Sequence, residues 1–338
     1  MPLLGNLIGN RLIRDVAIDL GTSNIVIYSQ GRGILLREPS TVALRRKGTG
    51  DFRLLAVGEE ARLMIGKGHR GVSVMQPLLG SVIADSDASI AMLRELLRMA
   101  GVHSRLSRLR VTVSMPLDST AIERRAVQQA VIGAGAVEIQ EIEQPVAAAL
   151  GAGLPVHEPA ASMVVDVGGG STEAGIVSLG GIVIARSVRI GGNSMDESIQ
   201  GFIRRRYNLL ASLQECERVK MSIGTVDPQD EARAEVRGRG LASGLPEIVT
   251  VSSGDIRTAI SEHIRTILDT IREVLEHCPP ELSGELLENG LYLTGGASQI
   301  RGLDKLIGQE MNLSVRIADD PMSTVALGLG RVIDSSIH

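Results

Sequence analysis

The 338-residue sequence predicts a duplicated α/β fold, two domains of common plan each built around a strand–turn–strand hairpin. From Val16 to Tyr28, Ile18 and Leu20 precede a tight polar turn and Ile25, Val26 and Ile27 follow it, the pattern of two paired strands. Met163 to Val177 repeats this plan about half a chain later, which points to internal duplication. Helical and strand-like patterns then alternate around both hairpins, as an α/β architecture requires.

Between the hairpins, Ile90, Leu93, Leu96 and Leu97 recur at helical spacing within Ser86 to Ala100. Leu109 to Ser114 reads as a strand stopped by Met115-Pro116, and Thr120 to Ala134 as an amphipathic helix. After the second hairpin, Ile256, Ile260, Ile264, Ile267, Leu268, Ile271, Val274 and Leu275 form one apolar helix face, ended by Pro279 and Pro280. Glu38 to Ser73 and Gly191 to Val251 interrupt the plan with mixed glycine-rich and charged sequence, and read as insertions.

Composition narrows the function. The chain has no Trp, two Phe and three Tyr, so it lacks the aromatic platforms on which single-stranded nucleic acid stacks. A net charge of −4 gives no general attraction to nucleic acid or anionic lipid. Cys216 and Cys278 form neither a metal-type cluster nor a disulfide framework, which suits a reducing compartment. No apolar run reaches the roughly 18 residues of a spanning helix, and the N-terminus does not read as a secretory signal, so the expected location is the cytoplasm.

The turns carry the chemistry. The first is Asp19-Leu20-Gly21-Thr22-Ser23-Asn24 and the second Asp166-Val167-Gly168-Gly169-Gly170-Ser171-Thr172. Glycine lets backbone N–H groups approach a phosphate closely, and the hydroxyls of Thr22, Ser23, Ser171 and Thr172 add donors. Asp19 and Asp166 end strands, where a carboxylate can hold the water shell of Mg²⁺. A third turn, Thr294-Gly295-Gly296-Ala297, follows the strand Leu291 to Leu293 and precedes a helix expected to begin near Ser298. Neither a G-x-x-x-x-G-K-[ST] string nor a G-x-G-x-x-G in a βαβ unit is present, which counts against P-loop and Rossmann enzymes.

The order of these motifs resembles the actin, Hsp70 and sugar-kinase superfamily, and the strings between them resemble the MreB family over nearly the whole chain. Most specific are the alanine-rich run from Pro145 to Pro155 and Cys278-Pro279-Pro280-Glu281-Leu282. The resemblance implies an actin-like, ribonuclease H-like ATPase fold with nucleotide in the central cleft. Residues 1–38, 74–150 and 322–338 would form one core subdomain with 39–73 inserted, and 151–190 and 252–321 the other with 191–251 inserted. It also implies ATP or ADP with Mg²⁺, filaments of paired strands beneath the cytoplasmic membrane, and contact with membrane proteins of the cell-wall elongation machinery. Glu217 and Lys220 would reach the ribose or base, and Gln144, Asp166 and Ser171 would form the catalytic set. Gln144 stands where the family usually has Glu. An amide orients water but accepts no proton, so slow hydrolysis is expected. As the residue before Pro145, Gln144 is expected in extended backbone with Glu143 facing away. Ser171 replaces the usual Thr, and Ala297 the third glycine of the usual triplet.

Two membrane anchors are expected candidates. Leu3, Leu4, Leu7, Ile8 and Leu12 fall on one helical arc with Arg11 and Arg14 beside it, and His103 to Arg110 reads as a basic loop tipped by Leu106. The superfamily offers two alternatives. A sugar or acetate-type kinase needs a further catalytic Asp that the sequence does not offer, and an Hsp70-like chaperone needs a peptide-binding part beyond His338.

Overall fold

The computed structural model describes residues 13–47, 51–67, 71–80, 82–102 and 108–335. The chain divides into two compact units, one made of residues up to Leu154 together with those from Ser323 onward, the other of Pro155–Met322.

In the first unit, β1 (Ile13–Leu20) and β2 (Asn24–Ser29) form the hairpin expected from alternation, with Ile18 opposite Ile27 and Asp19 opposite Val26. β3 (Gly33–Pro39) pairs antiparallel with β2. β4 (Val42–Lys47), β5 (Asp51–Val57) and β6 (Val72–Met75) make a separate three-stranded sheet, with the short helix α1 (Gly58–Arg62) after β5. A small ladder of β7 (Leu78–Leu79) and β8 (Val82–Ile83) leads to α2 (Ser86–Met99), β9 (Arg108–Met115), α3 (Ala121–Gly133), β10 (Ala136–Glu143) and α4 (Gln144–Gly151). The helix starts are chemically marked. Asp85 accepts the Ala88 N–H at 2.9 Å to cap α2, and Thr120 with Glu123 forms a reciprocal capping box at α3.

The second unit repeats the plan. β11 (Ser162–Val167) and β12 (Thr172–Ser178) form the hairpin and β13 (Gly181–Val188) extends it. Then come α5 (Gly192–Tyr207), β14 (Leu209–Ala211), α6 (Leu213–Ile223), β15 (Arg233–Gly240), β16 (Pro246–Ser252), α7 (Ser253–Glu276), α8 (Pro280–Asn289), β17 (Leu291–Thr294), α9 (Leu303–Met311) and β18 (Val315–Ile317). The expected apolar face of α7 is buried at Ile256, Ile260, Ile264, Ile267, Ile271 and Val274, and the helix stops at His277 before the two prolines. α10 (Thr324–Ser335) belongs again to the first unit.

The duplication is visible in sheet order. The first unit reads β3-β2-β1-β9-β10 and the second β13-β12-β11-β17-β18, each with two antiparallel pairings followed by two parallel ones. One face of β1 presents Val16, Ile18 and Leu20 to the main core of its unit, as Met163, Val165 and Val167 do from β11. Asp19 and Asp166 therefore sit on the opposite sheet faces, in line with Ala17 and Val164.

In the first unit that opposite face is covered by α10, which packs on β1 and against α4. The two helices touch backbone to backbone. A Cβ on Gly151 would lie 1.7 Å from the Thr324 carbonyl oxygen, and one on Gly328 would lie 1.8 Å from that of Ala147. Ala147, Ala148 and Ala149 are fully buried, so the alanine-rich string is the packing seam of α4. The ring of Tyr28 lies against Gly330, and its hydroxyl donates to Asp334 at 2.6 Å. Burial, reinforced by that carboxylate, pushes the Tyr28 hydroxyl up to about 12.

The seam makes a stability prediction. Gly151→Ala forces the helices apart and lowers the unfolding free energy by about 3 kcal/mol in urea denaturation. Gly284→Ala, at an exposed helical position where an added Cβ meets nothing within 4 Å, leaves stability unchanged or raises it by up to about 1 kcal/mol.

Candidate functional site

In the first unit, β1 ends at the Asp19 turn. Its parallel neighbour β9 brings Ser114 alongside, and the Ser114 hydroxyl donates to Asp19 Oδ1 at 2.9 Å. The turn is tied to the segment joining β3 and β4. Ser40 donates its backbone N–H to the Ser23 carbonyl at 2.9 Å and its hydroxyl to the Gly21 carbonyl at 2.6 Å. Gly21 packs where a Cβ would lie 2.5 Å from the Asn24 carbonyl oxygen, so the turn closes only around glycine. Thr22 is buried, Ser23 is half-buried and Asn24 opens β2. The loop is thus held from outside, which leaves its form independent of a ligand.

In the second unit, β11 ends at Asp166, buried and directly opposite Glu173 in the antiparallel pair and Thr294 in the parallel one. The Gly168 N–H donates to the Ser171 carbonyl at 2.9 Å, closing the Gly168-Gly169-Gly170 turn. The carbonyls of Gly168 and Gly169 accept the N–H groups of Gly192 and Asn193 at 3.0 and 2.8 Å, so the first turn of α5 holds the loop. Ser171 is 7% exposed at the loop's end. The hydroxyl of Thr172 donates inward to the Ile190 carbonyl at 2.8 Å, so it fastens the hairpin and is not the ligand donor expected for it.

The third turn meets this loop. Gly295 has φ +87° and ψ 157°, a conformation open essentially to glycine, and a Cβ there would stand 2.3 Å from Asp166 Oδ1 and from the Val167 carbonyl oxygen. A Cβ on Gly296 would touch Met322 Cγ at an ordinary 3.9 Å, and Ala297 is buried. Lys220, on α6, reaches the same corner. Its Nζ donates to the Gly192 carbonyl at 2.6 Å and pairs with Asp196 at 2.8 Å, while Glu217 lies one turn earlier on the helix. Burial pushes the Asp196 carboxyl up to about 6 against the opposing pull of Lys220. Burial likewise drives the neighbouring Cys216 thiol to about 12, which removes it from thiolate chemistry.

Each turn by itself has the make-up that suits a phosphate, glycine and hydroxyl residues beside one carboxylate. The Asp–Gly–hydroxyl turns are held in shape by their surroundings, and the space beside Gly21, Gly191 and Gly295 is filled by backbone or by Asp166, so no side chain could stand there. Among the described residues no group of three or more His, Cys, Asp or Glu side chains could hold a metal alone. A Mg²⁺ ion at either turn would find one carboxylate there, Asp19 or Asp166, and would need water or ligand oxygens for the rest of its shell.

Four expectations are corrected. Gln144 is not extended. The extended residue is Glu143 (φ −64°, ψ 134°), and Gln144 opens α4, because a proline within the first helical turn has no N–H to leave unpaired. No α-helix begins near Ser298. Gly296–Gln299 is a single 3₁₀ turn in which the Ser298 hydroxyl donates to the Gly295 carbonyl, and α9 starts at Leu303. The basic segment does not remain a loop to Arg110. Arg108, Leu109 and Arg110 lie in β9, with Leu109 buried and Arg110 paired with Asp15. Arg14 also belongs to a strand and donates to the Gly101 carbonyl at 2.8 Å, so it does not continue a helical arc. Leu3, Leu4, Leu7, Ile8, Arg11, Leu12 and the loop tip Leu106 lie outside the described residues. Ser40, Ser114 and Asp196 carry no local sequence signal, since each acts on a residue distant along the chain.

Two five-stranded sheets of one order, each with an Asp–Gly–hydroxyl turn at the end of its second-to-third strand pairing, define an actin-like duplicated α/β protein. The MreB/Mbl protein family model matches residues 13–337. The cell shape-determining protein MreB of Escherichia coli (strain K12) is 43% identical over 323 residues, covering 95% of this chain and 93% of its own. The cell shape-determining protein Mbl of Bacillus subtilis (strain 168) is 38% identical over 325 residues, covering 95% and 96%. The crystal structure of MreB5 of Spiroplasma citri bound to AMPPNP matches with a TM-score of 0.88 at 33% identity, covering 96% of both chains. A MamK double helical filament shares the fold at a TM-score of 0.80 and 20% identity, covering 95% and 99%. The chain belongs to the MreB/Mbl family.

The glycine turn offers a paired test. Gly295→Ala drives a Cβ into Asp166 and imposes a disallowed backbone, and costs about 2 to 4 kcal/mol in urea unfolding. Gly296→Ala, where the nearest atom is Met322 Cγ at 3.9 Å, changes stability by less than about 0.5 kcal/mol.

Proposed function

We propose that this protein is a bacterial actin of the cytoplasm that binds ATP with Mg²⁺ and polymerises into filaments at the inner face of the membrane, where they organise cell-wall synthesis and cell shape. The observation that carries the reading is the repeated sheet with its repeated Asp–Gly–hydroxyl turn, at Asp19 and again at Asp166. Relatives named as cell shape-determining proteins, and S. citri MreB5 bound to AMPPNP and to ADP, support it.

The roles divide by chemistry. Backbone N–H groups of Gly21 to Asn24 and of Gly168 to Ser171 serve the phosphates, and Asp19 and Asp166 are the carboxylates that would hold the water of a hydrated Mg²⁺. Gly295, Gly296 and Ala297, with Glu217 and Lys220, serve the nucleoside. Gln144, half-buried at the start of α4, orients the attacking water through its amide, while exposed Glu143 does not. Bound Mg²⁺ would stabilise charge on the phosphates. Hydrolysis is slow because no side chain at position 144 takes a proton.

Sedimentation and electron microscopy with ATP·Mg²⁺ test the assembly. Filaments form with wild type and fail with Asp166→Ala, and filament formation indifferent to nucleotide would defeat the proposal. Run with anionic vesicles, the same sedimentation loses co-pelleting when Met1 to Ile8 are deleted. Equal pelleting would exclude that tail as the anchor. Phosphate release tests Gln144 separately. Gln144→Glu raises the rate about tenfold or more by restoring a proton acceptor, and intact filaments without any increase would remove Gln144 from the chemistry.

A further inference from the structure

We propose that His263 is a pH-sensitive wedge between α7 and α5, whose uptake of a proton loosens α5 and, with it, the Gly168-Gly169-Gly170 turn that α5 holds. That this turn serves a nucleotide rests on the reading above, whereas the loosening itself does not.

His263 follows Ile260 by three residues and precedes Ile267 by four, both fully buried, so its ring is set beside the core stripe of α7. There it meets α5, whose Met195, Ile199 and Ile203 share the core with that stripe. The ring Nε2 stands 3.4 Å from Ser198 Oγ on α5, and Nδ1 is buried with no hydrogen-bond partner among the described residues. A neutral imidazole can leave that nitrogen bare. An imidazolium carries an N–H on both nitrogens, and the one on Nδ1 would be a buried donor with nothing to receive it.

Burial holds His263 below the usual histidine range against Glu197 on α5 and Glu262 on α7, the charged groups that act on the ring. Both carboxylates are exposed, and Glu262 also pairs with Arg265 at 3.3 Å, so water and that guanidinium blunt their pull. The ring therefore charges by leaving the contact between the helices. The seated form is favoured in full above the ordinary histidine value of 6.5 and loses ground as pH falls below it, because the open form then binds a proton that the seated form does not.

α5 carries the consequence to the turn. The N–H groups of Gly192 and Asn193 donate to the carbonyls of Gly168 and Gly169 at 3.0 and 2.8 Å. Ser198 lies about one and a half turns further along the same helix, so displacing it pulls on both bonds. Asp196, also on α5, has its carboxyl pushed up to about 6 by burial. It gains its proton more readily in the folded form and so works in the opposite sense. A change at position 263 leaves that contribution in place.

The test is amide hydrogen exchange of the full-length protein at about pH 7.5 and about pH 5.5, expressed as protection relative to an unstructured chain. Wild type is compared with His263→Gln, which offers Ser198 an uncharged amide, and with His263→Phe, which keeps a ring without its nitrogens. Either variant that folds serves. In wild type the protection of Gly192 and Asn193 falls about tenfold between the two pH values, the full effect of one proton on a group of ordinary histidine pKa. In the variants it changes by less than about twofold. An equal fall in a folded variant overturns the proposal. So does a fall in wild type that is as large at Val164 and Val165 of β11, since acid would then loosen the whole unit and not α5. Calorimetry with AMPPNP·Mg²⁺ on the same samples keeps the two readings apart. Exchange that behaves as expected in a protein that binds no nucleotide supports the wedge and removes the proposed function.

Discussion

Parallel pairing at the centre of each sheet is the constraint on which the rest depends. Because β1 runs parallel to β9 in one sheet and β11 to β17 in the other, the carboxyl ends of each pair emerge on one edge of their own sheet, and the segments that follow that pair meet there. The register does the detailed placing. Ile18 beside Val113 puts Asp19 beside Ser114, and Asp166 beside Thr294 puts Gly295 against the Asp166 carboxylate. A one-residue slip would turn every one of these side chains to the other face. The fully buried apolar residues at Ile18, Val113, Val165 and Leu293 oppose such a slip, so core packing also fixes the chemistry of the edge.

A second layer of constraint fastens the loops from behind. Ser40 holds the first, and the opening turn of α5 holds the second. These hydrogen bonds all end on loop carbonyls, three from backbone N–H groups and one from the Ser40 hydroxyl, and they keep the loop N–H groups oriented before any anion arrives. The Lys220–Asp196 pair extends the same idea to a side chain. A buried ion pair is a weak source of stability but a strong source of position, since both partners lose most of their alternatives.

Much of this was legible in the sequence because it is local. Alternation around Asp19 and Asp166 identified both hairpins, helical spacing identified α2, α3 and α7, and the glycines identified the turns. The misreadings have local causes as well. A proline disfavours helical backbone in the residue before it, but Pro145 lies within the first turn, where it fits, and Gln144 is helical. Gly295 and Gly302, at φ +87° and +82°, bracket the 3₁₀ turn that breaks the expected helix at Ser298. What stayed hidden is nonlocal. Lys220 meets Asp196 across two helices, and Ser114 meets Asp19 across 95 residues, and no periodicity encodes either contact. The alanine-rich string was visible as a family mark, but its physical purpose, a backbone-to-backbone seam with α10, appears only when Gly328 is set against it.

We propose that the Asp19 and Asp166 turns, with the turn at Gly295, are the nucleotide-binding elements. Hydrogen–deuterium exchange of the full-length protein with and without saturating AMPPNP·Mg²⁺ tests it most directly. Slowed amide exchange at Gly21 to Asn24, Gly168 to Ser171 and Gly295 to Ala297 is the predicted result. Unchanged exchange at all three turns, with protection elsewhere in the chain, would contradict the account.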